Sequence, residues 1–156
     1  MSLKEDTNLL SYTSLKPTRG VNIETIDTEE SQLIIWDMGG QEKYRTDHLS
    51  KLDRYLIGTE SIIFLIDVQD IEKYNIALEY LEKIVEEIKI NEVSVKFSIF
   101  LHKYDPNLSF KKDFKEIDEI VNTKLIPKID EIIPSDFDSK IFKTSIYTVF
   151  EKMLIK

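Results

Sequence analysis

The order of apolar and polar positions changes character several times along the chain. VNIETI, residues 21–26, alternates apolar and polar, as a strand with one covered face should. DTEES then reads as a turn and QLIIWD, 32–37, as a second strand, so the two are expected to form an antiparallel hairpin. A short helical stretch is expected over 46–57. SIIFLID, 61–67, is a continuous apolar run, the pattern of a parallel strand buried on both faces. Over 71–90, Ile76, Leu78, Leu81, Ile84, Val85 and Ile88 recur at helical spacing with charges between them. VSVKFSIFLH, 93–102, is the next strand, and 110–133 a further amphipathic helical region, broken near Pro127. KIFKTSI, 140–146, reads as a short strand and YTVFEKMLIK as the start of a helix. Strand and helix alternate from Ser61 onward, which predicts an α/β class with a mostly parallel sheet and one antiparallel hairpin.

Composition narrows the function classes. The 156 residues fit one domain with a substantial core, and 42% hydrophobic with 32% charged residues is a globular profile. A net charge of −8 argues against a general affinity for nucleic acid or anionic lipid. The absence of cysteine excludes a disulfide framework and a thiolate metal site, and makes an intracellular setting the plainer expectation. No apolar run approaches the roughly 20 residues that span a bilayer. The N-terminus MSLKEDTN carries no apolar signal core. No internal repeat or linker interrupts the chain.

In an open α/β sheet, ligands bind outside the carboxyl ends of the strands. The strand near 32–36 ends in Asp37-Met38-Gly39-Gly40-Gln41, that near 94–101 in His102-Lys103-Tyr104-Asp105, and that near 140–143 in Thr144-Ser145-Ile146. Lys16-Pro17-Thr18-Arg19-Gly20 precedes the first strand. Taken singly, each has a bland reading. Gly39-Gly40 is as readily a turn, Lys103 and Asp105 as readily a solvated loop, and His102 a hydrogen-bonding group at a strand end. His48 reads as a surface residue. Taken together and in order they are specific, since motif plus strand context is the confirming pattern.

D-x-x-G-Q, [N/H]-K-x-D and T-S-[A/I], each after a strand, resemble in that order the motifs of Ras-superfamily small GTPases. WDMGGQ resembles the Arf branch, while HKYD and KTSIY resemble the Rag (Gtr) branch. The resemblance covers nearly the whole chain and implies a P-loop-NTPase-like (Ras-like) three-layer fold over 1–156, a single GTPase domain. It implies GTP or GDP and Mg2+ as ligands. Asp105 would take two hydrogen bonds from one edge of guanine, and the stem of Lys103 would lie along the base plane. His102 stands where the family has Asn. Thr144, Ser145 and Ile146 would contact the base. Thr18 would ligate Mg2+, with Asp37 holding it through water. Gly40 would offer its N–H to a γ-phosphate, and Gln41 would orient the attacking water in the catalytic step.

One motif of the family has no counterpart in the sequence. No G-x-x-x-x-G-K-[ST] stretch, whose N–H groups and lysine cradle phosphates, occurs anywhere. The expectation is an N-terminally truncated domain lacking its P-loop and first strand, with SLKEDTNLLSYTSLK as the remains of the first helix and switch region. Two functions follow. One is a guanine-nucleotide-dependent molecular switch that hydrolyses GTP. The alternative is a pseudo-GTPase interaction module with little nucleotide binding, hetero- or homodimerising through its switch face or an open sheet edge. The resemblance implies another GTPase or a roadblock- or longin-type protein as partner. The expected location is cytoplasmic, peripheral to membranes only through partners.

Overall fold

The computed structural model describes residues 18–27 and 32–146. The expected segments SLKEDTNLLSYTSLK and YTVFEKMLIK, and most of the DTEES turn, lie outside the described residues. Two units are distinguished, Met1–Ser50 and Lys51–Lys156.

In the first unit, β1 (Val21–Asp27) pairs antiparallel with β2 (Gln32–Met38), Val21 opposite Met38 and Asp27 opposite Gln32. The hairpin expected from alternation is present. β2 runs into Gly39-Gly40-Gln41, and α1 (Glu42–Leu49) follows. The helix expected over 46–57 is two helices, because the turn breaks at Ser50 and Lys51, and α2 covers Leu52–Leu56. His48, read from sequence as a surface residue, is 1% exposed, its ring stacked one turn on from Tyr44 with centroids 6.4 Å apart.

In the second unit, β3 (Ser61–Asp67), β4 (Lys96–His102) and β5 (Ser139–Lys143) form a parallel sheet in the order β3-β4-β5. The crossover from β3 is α3 (Tyr74–Ile90), whose Leu78, Leu81, Ile84, Val85 and Ile88 are buried. They pack with Phe64, Ile66, Phe97, Ile99 and Leu101, which form the core of this unit. The return from β4 runs through 3-10 turns into one continuous helical stretch, Ile117–Ile132, and not into a helix broken at Pro127. Its middle, Val121–Leu125, has π geometry. Ile117, Val121, Leu125 and Ile129 are buried at a strict spacing of four. On a regular α-helix that spacing drifts by about 40° per step, and the wider π turn draws the row back toward one face. The same widening precedes Pro127, which has no N–H to give and whose ring would crowd the carbonyl of Thr123. We label the two α segments α4 (Ile117–Ile120) and α5 (Ile126–Ile132).

The expectation that β3 is buried on both faces is corrected. Phe64 and Ile66 face the core, whereas Ile63 and Leu65 are each 56% exposed. α3 contacts both β3 and α5, so both crossover helices cover the same side of the sheet. Among the described residues of this unit no helix covers the other side, where Phe100 and Phe142 meet edge to face at 5.6 Å. β3 also carries a strand partner on one side only among the described residues.

Tyr74 ties α3 to the end of β3. Its buried hydroxyl donates to the carbonyl of Val68 at 2.7 Å, and burial pushes the phenol up to about 12. Val68 is fully buried and its N–H is already given to the His102 carbonyl at 3.0 Å. Tyr74→Phe removes a donor from a buried carbonyl and is expected to cost about 1–3 kcal/mol in a urea unfolding titration. An unchanged midpoint would show that the bond does not hold this turn.

Candidate functional site

The sequence-derived candidates fall into two clusters, one in each unit. In Met1–Ser50 the hydroxyl of Thr18 donates to the Asp37 carboxylate at 2.6 Å, so the two residues expected at a metal do come together. The approach depends on Gly39. Its N–H bonds the Gly20 carbonyl at 2.8 Å, and a Cβ on Gly39 would stand 2.4 Å from the carbonyl oxygen of Thr18. Gly20 has φ +70°, a conformation glycine takes without strain. Gly40 is open, with nothing within 4 Å of a Cβ there, and its carbonyl accepts from the Arg45 guanidinium at 3.1 Å. Gln41 is the N-cap residue of α1, its carbonyl accepting from the N–H groups of Tyr44 and Arg45, and it is exposed. Of the paired glycines, it is Gly39 that the backbone requires, while the space beside Gly40 is open.

A hydroxyl and a carboxylate are hard oxygen donors of the type Mg2+ takes, usually with waters and phosphate oxygens filling the remaining positions. Thr18 and Asp37 fit that part. Among the described residues no group of three or more His, Cys, Asp or Glu side chains gathers as a full metal cage.

The second cluster stands at the carboxyl end of the parallel sheet. The register sets Asp67 opposite His102, and Leu101 opposite Lys143, so three strands deliver their exits together. Pairing continues past the strands: Thr144 N–H bonds the Leu101 carbonyl, and Tyr104 N–H the Thr144 carbonyl, both at 3.0 Å. His102 Nδ1 lies 3.1 Å from the Thr144 hydroxyl. Burial, and then the Lys103 cation, hold the His102 imidazole below its ordinary value. Lys103 has φ +60°, the left-handed region that costs an ordinary side chain about 1 kcal/mol or more. Its ammonium reaches the Asp67 carboxylate at 2.6 Å.

Asp105 is clamped from two directions. Ser145 Oγ donates to its Oδ1 at 2.6 Å, Gln69 Nε2 donates to its Oδ2 at 2.9 Å, and the Lys111 ammonium stands 3.7 Å away. The Ser145 hydrogen bond is the largest cause holding this carboxyl below the usual carboxylate range. A carboxylate has about four lone-pair sites, so these two hydrogen bonds leave each oxygen one further acceptor position, that of Oδ2 on the side of the more loosely placed Lys111 ammonium. Ile146 follows and is exposed. Tyr104, between Lys103 and Asp105, donates its hydroxyl to Asp118 and lies under the Lys143 ammonium, 4.2 Å from the ring centre. Lys143 also donates to Asp118 at 3.2 Å.

Thus His102, Lys103, Asp105, Thr144 and Ser145 are brought into one hydrogen-bonded neighbourhood. Sequence reasoning missed Asp67 and Gln69 as members of it. For Asp67 the signal was available, since the strand 61–67 is a third parallel strand that ends in that carboxylate, whereas Gln69 carried none. Asp118 and Lys143 carried no motif signal at all.

The sequence model of the ADP-ribosylation factor family matches residues 4–150. ADP-ribosylation factor-related protein 1 of Rattus norvegicus is 31% identical over 86 residues, 55% of this chain and 41% of that protein; the Mus musculus protein matches identically. The alignment spans about two fifths of the length of these curated relatives. Among solved structures, the Arl6 (BBS3) small GTPase of Trypanosoma brucei, with bound nucleotide analogue GppNp, aligns with a TM-score of 0.58. It is 19% identical, over 88% of this chain and 77% of that one, a likeness of fold.

Two outcomes test the geometry. Gly39→Ala is expected to destabilise by about 2 kcal/mol or more, and Gly40→Ala by no more than about 0.5 kcal/mol, in chemical unfolding. Equal effects would mean that the close approach to Thr18 is absent. For His102, the ring is neutral in both folded and unfolded chains above about pH 7. As pH falls past the ordinary value, the unfolded ring takes a proton that the folded ring resists, so stability drops. An NMR titration should place His102 below about 6.5, and His102→Asn should lessen the loss of stability between about pH 7 and 5. A midpoint at or above the ordinary value would overturn the burial argument.

Proposed function

The chain belongs to the ADP-ribosylation factor family, and we propose that it carries the guanine-recognising and magnesium-side parts of a nucleotide-dependent switch. The observation that carries this reading is the Asp105 carboxylate, fixed by Ser145 and Gln69 with one acceptor position left on each oxygen. Guanine offers two adjacent N–H donors along one edge, whereas adenine presents an acceptor where one of them should be. A rigid, half-buried carboxylate discriminates against the wrong base, because an acceptor of the base set against it meets no donor once the base has displaced water. The stem of Lys103 supplies a base-facing surface, and the loop Thr144-Ser145-Ile146 closes the other side. His102 does the work of the family's Asn as a neutral hydrogen-bonding group beside Thr144.

In the first unit, Thr18 and Asp37 would hold Mg2+, which when bound would neutralise charge on the phosphates. Gly40 offers its N–H to the terminal phosphate, and Gln41, exposed at the start of α1, orients water for GTP hydrolysis. The phosphates themselves need preorganised donors, and charge-assisted hydrogen bonds contribute about 1.5–3 kcal/mol each. The 156 residues contain no G-x-x-x-x-G-K-[ST] stretch, so this chain by itself holds nucleotide mainly through the base.

A second reading rests on a different observation: the exposed Ile63 and Leu65 and the pairing of β3 on one side only among the described residues. An unpaired strand edge beside apolar side chains is a template for association. On this reading the chain is an interaction module whose partner, another GTPase or a roadblock- or longin-type protein, covers that sheet.

The two readings separate in one experiment. Amide resonances of the isotopically labelled chain are followed as GDP or ADP is added with Mg2+ to about 5 mM, the range of weak binding. Shifts at Lys103 to Asp105 and at Ser145 and Ile146 with GDP, and none with ADP, are expected. No guanine-selective shift at that concentration would overturn the nucleotide reading for this chain and favour the interaction module.

A further inference from the structure

Gln69 sits in the turn after β3, a position that carries no motif. Its Nε2 donates to two acceptors at once, the Lys103 carbonyl at 2.8 Å and Asp105 Oδ2 at 2.9 Å. Both partners are acceptors, so only the NH2 side of the amide can face them, and the assignment of nitrogen and oxygen is fixed by chemistry. The two partners bracket the loop Lys103-Tyr104-Asp105. One is the carbonyl of the left-handed residue, the other the carboxylate at the loop's end.

The amide is delivered from a fixed backbone. Gln69 N–H bonds Asp67 Oδ1 at 3.0 Å, and Asp70 N–H bonds the Asp67 carbonyl at 3.2 Å. The preceding residue, Val68, is fully buried, with its N–H on the His102 carbonyl and its own carbonyl on Tyr74. Asp67 in turn holds the Lys103 ammonium. The segment Asp67 to Gln69 therefore grips Lys103 by side chain and carbonyl, and Asp105 by one oxygen of its carboxylate.

We infer that Gln69 is a positioning residue for base recognition, which fixes the plane of the Asp105 carboxylate so that both oxygens face one edge of the purine. This deepens the guanine reading above and rests on it. Ser145 fixes Oδ1 alone, and one hydrogen bond leaves the carboxylate free to rotate about its Cβ–Cγ bond. The second, from Gln69 to Oδ2, removes that freedom. A two-point contact to the N1–H and the 2-amino group of guanine requires both oxygens in register; a one-point contact to a base lacking the amino group does not.

The test compares GDP with inosine diphosphate, which lacks the 2-amino group, on the whole chain with Mg2+. In the parent chain GDP is preferred. In Gln69→Leu that preference falls about five-fold or more, while binding of inosine diphosphate changes less than about two-fold. A merely structural role lowers both equally and leaves the ratio unmoved, which would overturn the proposal. Gln69→Asn keeps the amide but is one methylene shorter and cannot span both acceptors. It serves as the second variant should Gln69→Leu fold poorly, with the same loss of preference expected. A separate readout needs no nucleotide: the Asp105 carboxyl carbon, followed by NMR, should titrate higher in either variant because a donor to its charged form is gone. If the parent chain shows no guanine preference, the base reading fails on its own, and an unmoved Asp105 titration is what then overturns the clamp.

Discussion

Asp67 pairs with His102 across the parallel sheet, and Leu101 with Lys143. This register decides where the functional side chains of the second unit stand. It is set by the apolar rows that bury Phe64 and Ile66 on β3, and Phe97, Ile99 and Leu101 on β4, against α3. A slip of one residue would turn those rows outward and bring Ile63 and Leu65 in, so the core enforces the register strongly. The same register sets the exits of three strands level, and the polar turn of each then meets the others. Core packing and site assembly are here one constraint read at two ends of the sheet.

What holds the cluster at those exits is mostly neutral donors on charged acceptors. The Lys103–Asp67 and Lys111–Asp105 pairs are partly exposed, and such pairs contribute little after solvent screening. Ser145 and Gln69 bond the Asp105 carboxylate directly, and hydrogen bonds to a charged group are the stronger class. They also fix direction, which a point cation cannot do. The left-handed Lys103 fits this picture, since the strain at that residue is balanced by bonds at both its carbonyl and its ammonium.

Much of this was legible from the residues. Ser61–Asp67 is a strand over the bounds its apolar run marks, the hairpin follows its alternation, and the motif residues 102–105 meet Thr144 and Ser145. The misreadings have particular causes. A continuous apolar run cannot report whether one or both faces are covered, because that depends on the side of the sheet its crossover helices take. Pro127 signals a break, but a π turn just before it relieves the clash and keeps the helix going. His48 lies in a mostly polar stretch, YRTDHLS, with only Tyr44 and Leu49 apolar near it, and that spacing alone did not announce that its ring would be buried. Gln69 was invisible for another reason: its role comes from a partner 36 positions away, and no spacing within one segment encodes that.

The two clusters differ in how much they need from a ligand. Asp105 has its neighbours in place and only two acceptor positions to fill. Thr18 and Asp37 offer one hydroxyl and one carboxylate, bonded to each other. A hydroxyl has lone pairs besides its single hydrogen, so Thr18 can present oxygen to a cation while still donating to Asp37. Two such donors fall well short of the six oxygens Mg2+ takes, and the ion dehydrates reluctantly. A Mg2+ held there would take its remaining positions from water and phosphate oxygens. Thr18 and Asp37 are thus at most a fragment of a cation's coordination shell, whereas the Asp105 carboxylate of the second unit already has its direction fixed by Ser145 and Gln69.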